Sequence, residues 1–291
     1  MAEYKLIGKD YITPDMLAKV TGRSKYAEDF RAEGMLFVKL LLSPMPHARV
    51  RRLDTSVAMA MPGVEAILTA DDLPEAEAPQ EAGLTNEPLY EGDPILAIAA
   101  VDEETAAEAI EAVEIDFEPL PFVLDPMDSL RPDGPNARLD GNTMAGRDLS
   151  TIKWGDVDWN EFDRGVMPLG GEVTDEWQVG DVEAGFAEAD LVLDESVFSA
   201  SLSHQPLETR SAMAYWQNGK CYMHCSTQST ARTEGGMARW IGVDPEDLVL
   251  ITEYCGGGFG SKISANIQAR VTALLAKKAG KPEIGRASCR E

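Results

Sequence analysis

Long apolar runs are missing from this chain of 291 residues. No stretch reaches the roughly 18 apolar residues that a helical membrane span requires. The opening residues, Met1-Ala2-Glu3-Tyr4-Lys5, hold no apolar run that could act as a signal peptide. Positive charge is scarce: 26 Lys and Arg stand against 50 Asp and Glu, a net charge of −24. Nucleic acid and anionic lipid, both bound through basic faces, are thereby excluded as main ligands. Four cysteines in this length make no disulfide framework and fit a reducing cytoplasm. Internal repeats are absent.

What is present can build a core. Hydrophobic residues make up 44% of the chain and charged residues 26%, which suits one large domain or two ordinary ones. The acid is unevenly spread, with 7 Lys and Arg against 36 Asp and Glu in residues 51–200. That stretch reads as a solvated surface, or as a face that docks a partner subunit.

Periodicity predicts strands over 35–42, 49–54, 64–68, 94–101 and 114–117, with a helix after Asp102. Residues 125–185, rich in Asp, Gly and Pro, read as a long connection that wraps over a surface, with a short helix near 181–189. Further strands are expected over 191–198, 212–216, 221–227 and 248–254, and helices over 230–241 and 265–279. Asn218-Gly219 predicts a tight hairpin turn. Helices and strands intermingle without a regular βαβ rhythm, which points to an α+β fold.

The strongest local signal is Cys255-Gly256-Gly257-Gly258-Phe259-Gly260-Ser261-Lys262, between a strand and a helix. Such a run brings backbone close to a ligand and offers several N–H groups to an anion. It is no P-loop, because Ser261 and Ile263 stand where Gly and Ser or Thr are required. It also fails the dinucleotide fingerprint, which needs Gly at 261. Ser226-Thr227-Gln228-Ser229-Thr230 ends a strand and starts a helix, with Ser229 or Thr230 as an N-cap. Ser203-His204-Gln205-Pro206-Leu207-Glu208-Thr209 is a polar loop whose His204 and Glu208 could do acid–base work or be structural. Cys221 and Cys225 straddle His224, but in a strand the two thiols share one face and the imidazole takes the other, which argues against metal. Cys255 reads as a small buried residue or a reactive thiol.

Taken together, these residues resemble the large, molybdopterin-binding catalytic subunit of the xanthine dehydrogenase and aldehyde oxidase family. The likeness rests on Thr21-Gly22 with Tyr26-Ala27-Glu28-Asp29, on SPMPHAR from Ser43 to Arg49, and on Pro62-Gly63-Val64. It continues through Glu91-Gly92-Asp93-Pro94 to Phe117 with Glu118-Pro119-Leu120-Pro121, then Gly180-Asp181-Val182, HQPLET, Ser226-Thr227-Gln228 and GGGFGSK. The resemblance implies a hammerhead-type α/β domain over 1–130, an interdomain connection over 131–180, and the truncated start of the first molybdenum-cofactor-binding α+β domain over 181–282. Residues 283–291, EIGRASCRE, resemble translated sequencing adapter and are read as a non-native tail without cap or strand pattern.

The same resemblance implies hydroxylation of a small molecule with oxygen from water. The cofactor would be molybdenum-molybdopterin in its cytosine dinucleotide form. Electrons would pass to two-iron two-sulfur clusters and FAD on partners, an iron–sulfur small subunit and an FAD-binding medium subunit. Gln228 would hydrogen-bond an oxo ligand of the metal, and Gly257, Gly258, Phe259 and Gly260 would line the cofactor. Ile263 stands where purine-hydroxylating members carry Glu, which weakens a purine assignment and leaves aldehydes, aromatic heterocycles, acyl-CoA thioesters and carbon monoxide open; an aldehyde or aromatic heterocycle is the expected kind of substrate. The family's catalytic glutamate is expected beyond Pro282, so this stretch alone is expected to be inactive, with no catalytic or metal-ligating residue of its own. Two other readings stand beside this one: a subunit-docking assembly module, and a phosphate-binding module using residues 256–262.

Overall fold

A computed structural model describes residues 5–74, 83–125, 128, 155–165, 177–193, 195, 197 and 202–286. In chain order the elements are α1 (Met16–Val20), β1 (Leu36–Leu42), β2 (Ala48–Asp54), α2 (Ser56–Met59), β3 (Val64–Thr69), β4 (Pro94–Ala100), α3 (Glu103–Glu111) and β5 (Glu114–Pro119). They continue with α4 (Asp156–Phe162), α5 (Val182–Glu188), β6 (Ser211–Gln217), β7 (Lys220–Cys225), α6 (Thr230–Ile241), β8 (Leu248–Ile251), α7 (Ile267–Ala279) and β9 (Glu283–Arg286).

Local chemistry sets the element ends. Asp102 accepts the Thr105 amide at 2.7 Å and starts α3, and Asn266 accepts the Ala269 amide at 3.0 Å and starts α7. Gly242 and Gly280 close α6 and α7 in the left-handed conformation. Asn218 and Gly219 both take positive φ, 53° and 81°, as the tight turn between β6 and β7 requires.

The chain compacts as two units, one formed by residues 1–120 with 204–291 and the other by 121–203. In the first, a mixed seven-stranded sheet runs in the order β3-β4-β1-β9-β6-β7-β8, beside an antiparallel pair of β2 and β5. Every residue of β4 is buried, because both faces of the sheet are covered. Ala97 and Ala99 join Leu36, Val38, Ala212, Ala214 and Met223 beneath α6 and α7. Leu96 and Ile98 point the other way, onto Ala58 of α2 and Ala109 of α3. α7 is fastened by the Trp216 indole, which donates to the Ala273 carbonyl at 2.8 Å. Its buried Arg270 donates to the carbonyls of Trp240 at 3.0 Å and Pro74 at 3.1 Å.

The second unit holds α4 and α5. Trp159 is buried and meets Phe162 edge-on at 5.7 Å. Asp181 caps α5 by accepting the Ala184 amide at 3.0 Å.

The division into 1–130, 131–180 and 181–282 is kept as a proposal; within the first unit, β6 to β8 extend the sheet that β1, β3 and β4 begin, joined through β9. Two expectations need revision. Leu191, Val192 and Leu193 form no strand and are exposed, so a β-prone run without a partner strand stays irregular. The rest of the 191–198 expectation, and most of the 125–185 connection, lies largely outside the described residues. The tail also departs from expectation: Glu283–Arg286 form β9, parallel to β1 on one side and antiparallel to β6 on the other. Ladder hydrogen bonds come from the main chain, so a slot between two strands accepts an extended segment whatever its side chains.

The side chain of Glu283 does not share that indifference. Its pairing with Leu36 and Ala214 turns it to the face under α7, where it is fully buried and neither carboxylate oxygen is hydrogen-bonded among the described residues. Burial pushes its pKa up to about 9. The neutral acid is therefore favoured in the fold, and stability that is intact below the ordinary carboxylate range drains away as pH rises towards 9. Glu283→Val is expected to stabilise the protein by about 3 kcal/mol or more at pH 8 in urea unfolding, with the gap shrinking steadily towards pH 4.

Candidate cofactor site

The site is assembled at one end of the sheet, where β7 runs into α6, where the chain leads into β6, and where the chain leaves β8 for α7. Three segments converge there: 204–209, 226–230 and 255–262.

The third segment is the glycine loop. Gly257 and Gly260 sit at φ of 100° and 96°, and Phe259 at 52°, an uncommon value for a residue with a Cβ. The Ser261 amide donates to the Gly258 carbonyl at 2.8 Å and closes a tight turn. A methyl group on Gly258 would overlap the Gln228 carboxamide, and one on Gly256 would overlap Glu208. Glycine is thus required at 256 and 258 for close approach and at 257 and 260 for conformation.

Gln228 grips the far half of the loop. Its Oε1 accepts the amides of Gly260 at 3.0 Å and Lys262 at 3.4 Å. Its own main-chain amide donates to the Lys262 carbonyl at 2.9 Å, which also accepts the Thr227 hydroxyl at 2.9 Å. Two main-chain donors fix which end of the carboxamide faces the loop, so the NH₂ end is left over as a donor. Ser229 caps α6 by accepting the Arg232 amide, which settles the cap between the two candidates.

Glu208 grips the near half. Its Oε2 accepts the Gly256 amide at 2.6 Å and the Lys262 ammonium at 3.1 Å, and its main-chain carbonyl accepts the same ammonium at 2.6 Å. Arg210 adds two contacts to the Ser261 carbonyl, at 3.2 and 3.3 Å. Between these grips, the amides of Gly258 and Phe259 donate to no acceptor among the described residues, and that of Gly257 has only the weak acceptor of the Cys255 sulfur. The loop therefore presents three consecutive N–H groups beside one carboxamide NH₂, an array suited to anionic oxygen.

The five residues singled out in the sequence, Gln228, Gly257, Gly258, Phe259 and Gly260, lie together here. The Glu208–Lys262 pair was missed as a pair, its members 54 positions apart. His204 is exposed near the loop, its Nε2 3.5 Å from where a Cβ on Gly260 would lie. Cys221 and Cys225 are buried on one face of β7, and burial pushes both thiols up to about 12. His224 is stacked on Phe30 at 3.8 Å instead. Among the described residues no cluster of His, Cys, Asp and Glu could hold a metal ion. Burial also raises the Cys255 thiol, against a role as reactive nucleophile.

Residues 21–121 match the a/b hammerhead domain of aldehyde oxidase and xanthine dehydrogenase, and residues 167–284 match the molybdopterin cofactor-binding domain. The chain is 31% identical over 278 residues to a probable xanthine dehydrogenase subunit of Bacillus subtilis, covering 93% of this chain and 33% of that protein. It is 28% identical to the nicotinate dehydrogenase large molybdopterin subunit of Eubacterium barkeri, covering 96% of this chain and 61% of that one. The crystal structure of the aldehyde oxidoreductase from Desulfovibrio gigas superposes with a TM-score of 0.71 at 25% identity, over 97% of this chain and 30% of that one. The chain belongs to the xanthine dehydrogenase and aldehyde oxidase family and carries its hammerhead and molybdopterin-binding domains. It spans a third of the first of these relatives and 61% of the second.

The packing around Gly258 yields a direct check. Gly258→Ala is expected to cost about 1–3 kcal/mol in urea unfolding, because the methyl group displaces Gln228. Gly235→Ala, in α6 with nothing within 4 Å, is expected to stabilise by about 0.4–1 kcal/mol.

Proposed function

We propose that this chain forms part of the catalytic subunit of a molybdenum hydroxylase, and that the 257–260 loop with Gln228 holds the molybdopterin cofactor at its metal end. The observation that carries this reading is the run of three adjacent amides, two of them unpaired among the described residues, beside the NH₂ of Gln228. The donors left over fit an oxygen-rich anionic group, and no basic side chain is needed to hold it. When bound, the cofactor would supply two-electron oxidation of an aldehyde or aromatic heterocycle, with water as the oxygen source.

This chain's own residues bind and orient. Gln228 presents a fixed donor, the three amides share an anionic oxygen shell, and Phe259 offers an exposed ring beside them. Glu208 is no free base, because its carboxylate is committed to Gly256 and Lys262. The cofactor is proposed in its cytosine dinucleotide form. Electrons would leave to two-iron two-sulfur clusters and FAD on small and medium partner subunits. A cytoplasmic location is part of the same proposal; no helix among the described residues is long and apolar enough to cross a membrane. As a phosphate-binding module the loop would lack its lysine, since the Lys262 ammonium is fully buried against Glu208.

The native complex is expected to contain near-stoichiometric molybdenum and to release a fluorescent pterin on acid oxidation. Gln228→Ala is expected to lower both by about tenfold or more. A wild-type complex free of molybdenum and pterin would overturn the proposal.

A further inference from the structure

The cofactor reading leaves one buried ionic group without a task. The Lys262 side chain is 0% exposed and that of Glu208 is 7% exposed, yet neither is hydrogen-bonded to the amides of Gly257, Gly258 or Phe259. Their contacts fall at the two ends of that loop. Glu208 holds Gly256 through both its main chain and its carboxylate, and holds Lys262 through its carbonyl and its carboxylate. The pair thus fixes the distance between the first and last residues of a glycine-rich stretch that could otherwise relax in many ways. One carboxylate oxygen, Oε1, is buried with no hydrogen-bond partner among the described residues, while Oε2 takes both contacts to the loop. The paired charges also cancel locally. An anionic ligand at the amides meets neither a bare carboxylate nor a cation that would draw it off the main-chain donors.

We infer that Glu208 and Lys262 form a positioning pair, which acts through the loop and touches no substrate, and which holds the amides of Gly257, Gly258 and Phe259 in register for the molybdopterin's oxygen-rich end. The inference rests on the cofactor reading above. Buried pairs of this kind need not add stability, since neutral replacements are often tolerated. The pair's contribution is therefore to be sought in cofactor loading.

The test compares three native complexes: wild type, Glu208→Asp, and the neutral double variant Glu208→Gln with Lys262→Met. Released pterin and molybdenum are measured per mole of folded protein, and the Mo(V) electron paramagnetic resonance spectrum is recorded. E208D keeps both charges but draws the carboxylate back from the Gly256 amide. Both variants are expected to fold, to load about ten- to a hundredfold less cofactor, and to give an altered Mo(V) signal from what remains. Loading of E208D within about twofold of wild type, with an unchanged spectrum, overturns the pair's role whether or not the double variant folds. A wild-type complex without pterin overturns the cofactor reading and this inference together, whereas a loaded wild type with equally loaded variants overturns this inference alone.

Discussion

Main-chain amides must donate to something, and at the glycine loop the protein spends its acceptors on every side except one. Oε1 of Gln228 takes two N–H groups, Oε2 of Glu208 takes another, and the Gly258 carbonyl takes the amide of Ser261. What is left over is a contiguous run of donors with fixed direction. Donors held in this way suit an acceptor from outside the chain, as the proposed cofactor would be. The fold subserves this constraint: β6, β7 and β8 bring three segments to one sheet end, and α6 and α7 start beside the site with capped N-termini.

Much of this was legible in the residues. Asn-Gly announced the hairpin, Asp102 announced α3, and glycines at 242 and 280 announced helix ends, because each signal is local and has one physical meaning. The glycine loop stood out for the same reason. Gln228 did not: beside Ser229 and Thr230 it looked like a bystander to a helix cap, and only the family resemblance raised it. The Glu208–Lys262 pair illustrates the limit more sharply. Each member was visible, but a contact across 54 positions depends on strand order, which periodicity does not encode. Its one sequence-level trace is a lysine directly after a glycine loop that fails the P-loop spacing, which leaves the cation in need of another partner.

The opposite kind of miss occurs at β9. The sequence 283–286 lacks the alternation of a strand, and its glutamate enters a core lined with Leu36 and Ala214. Tertiary context overrides local preference there, since an open slot between two strands rewards any backbone that can fill it. Leu191 to Leu193 show the converse: β preference with no partner strand among the described residues. Local preference and available partners are separate requirements, and these two segments each satisfy one.

Because β9 joins β1 to β6, Leu36 in the first pairs with a residue about 250 positions later. Without that segment, β1 and β6 would each show a bare main-chain edge, and closing the sheet through it fixes a loop of that length.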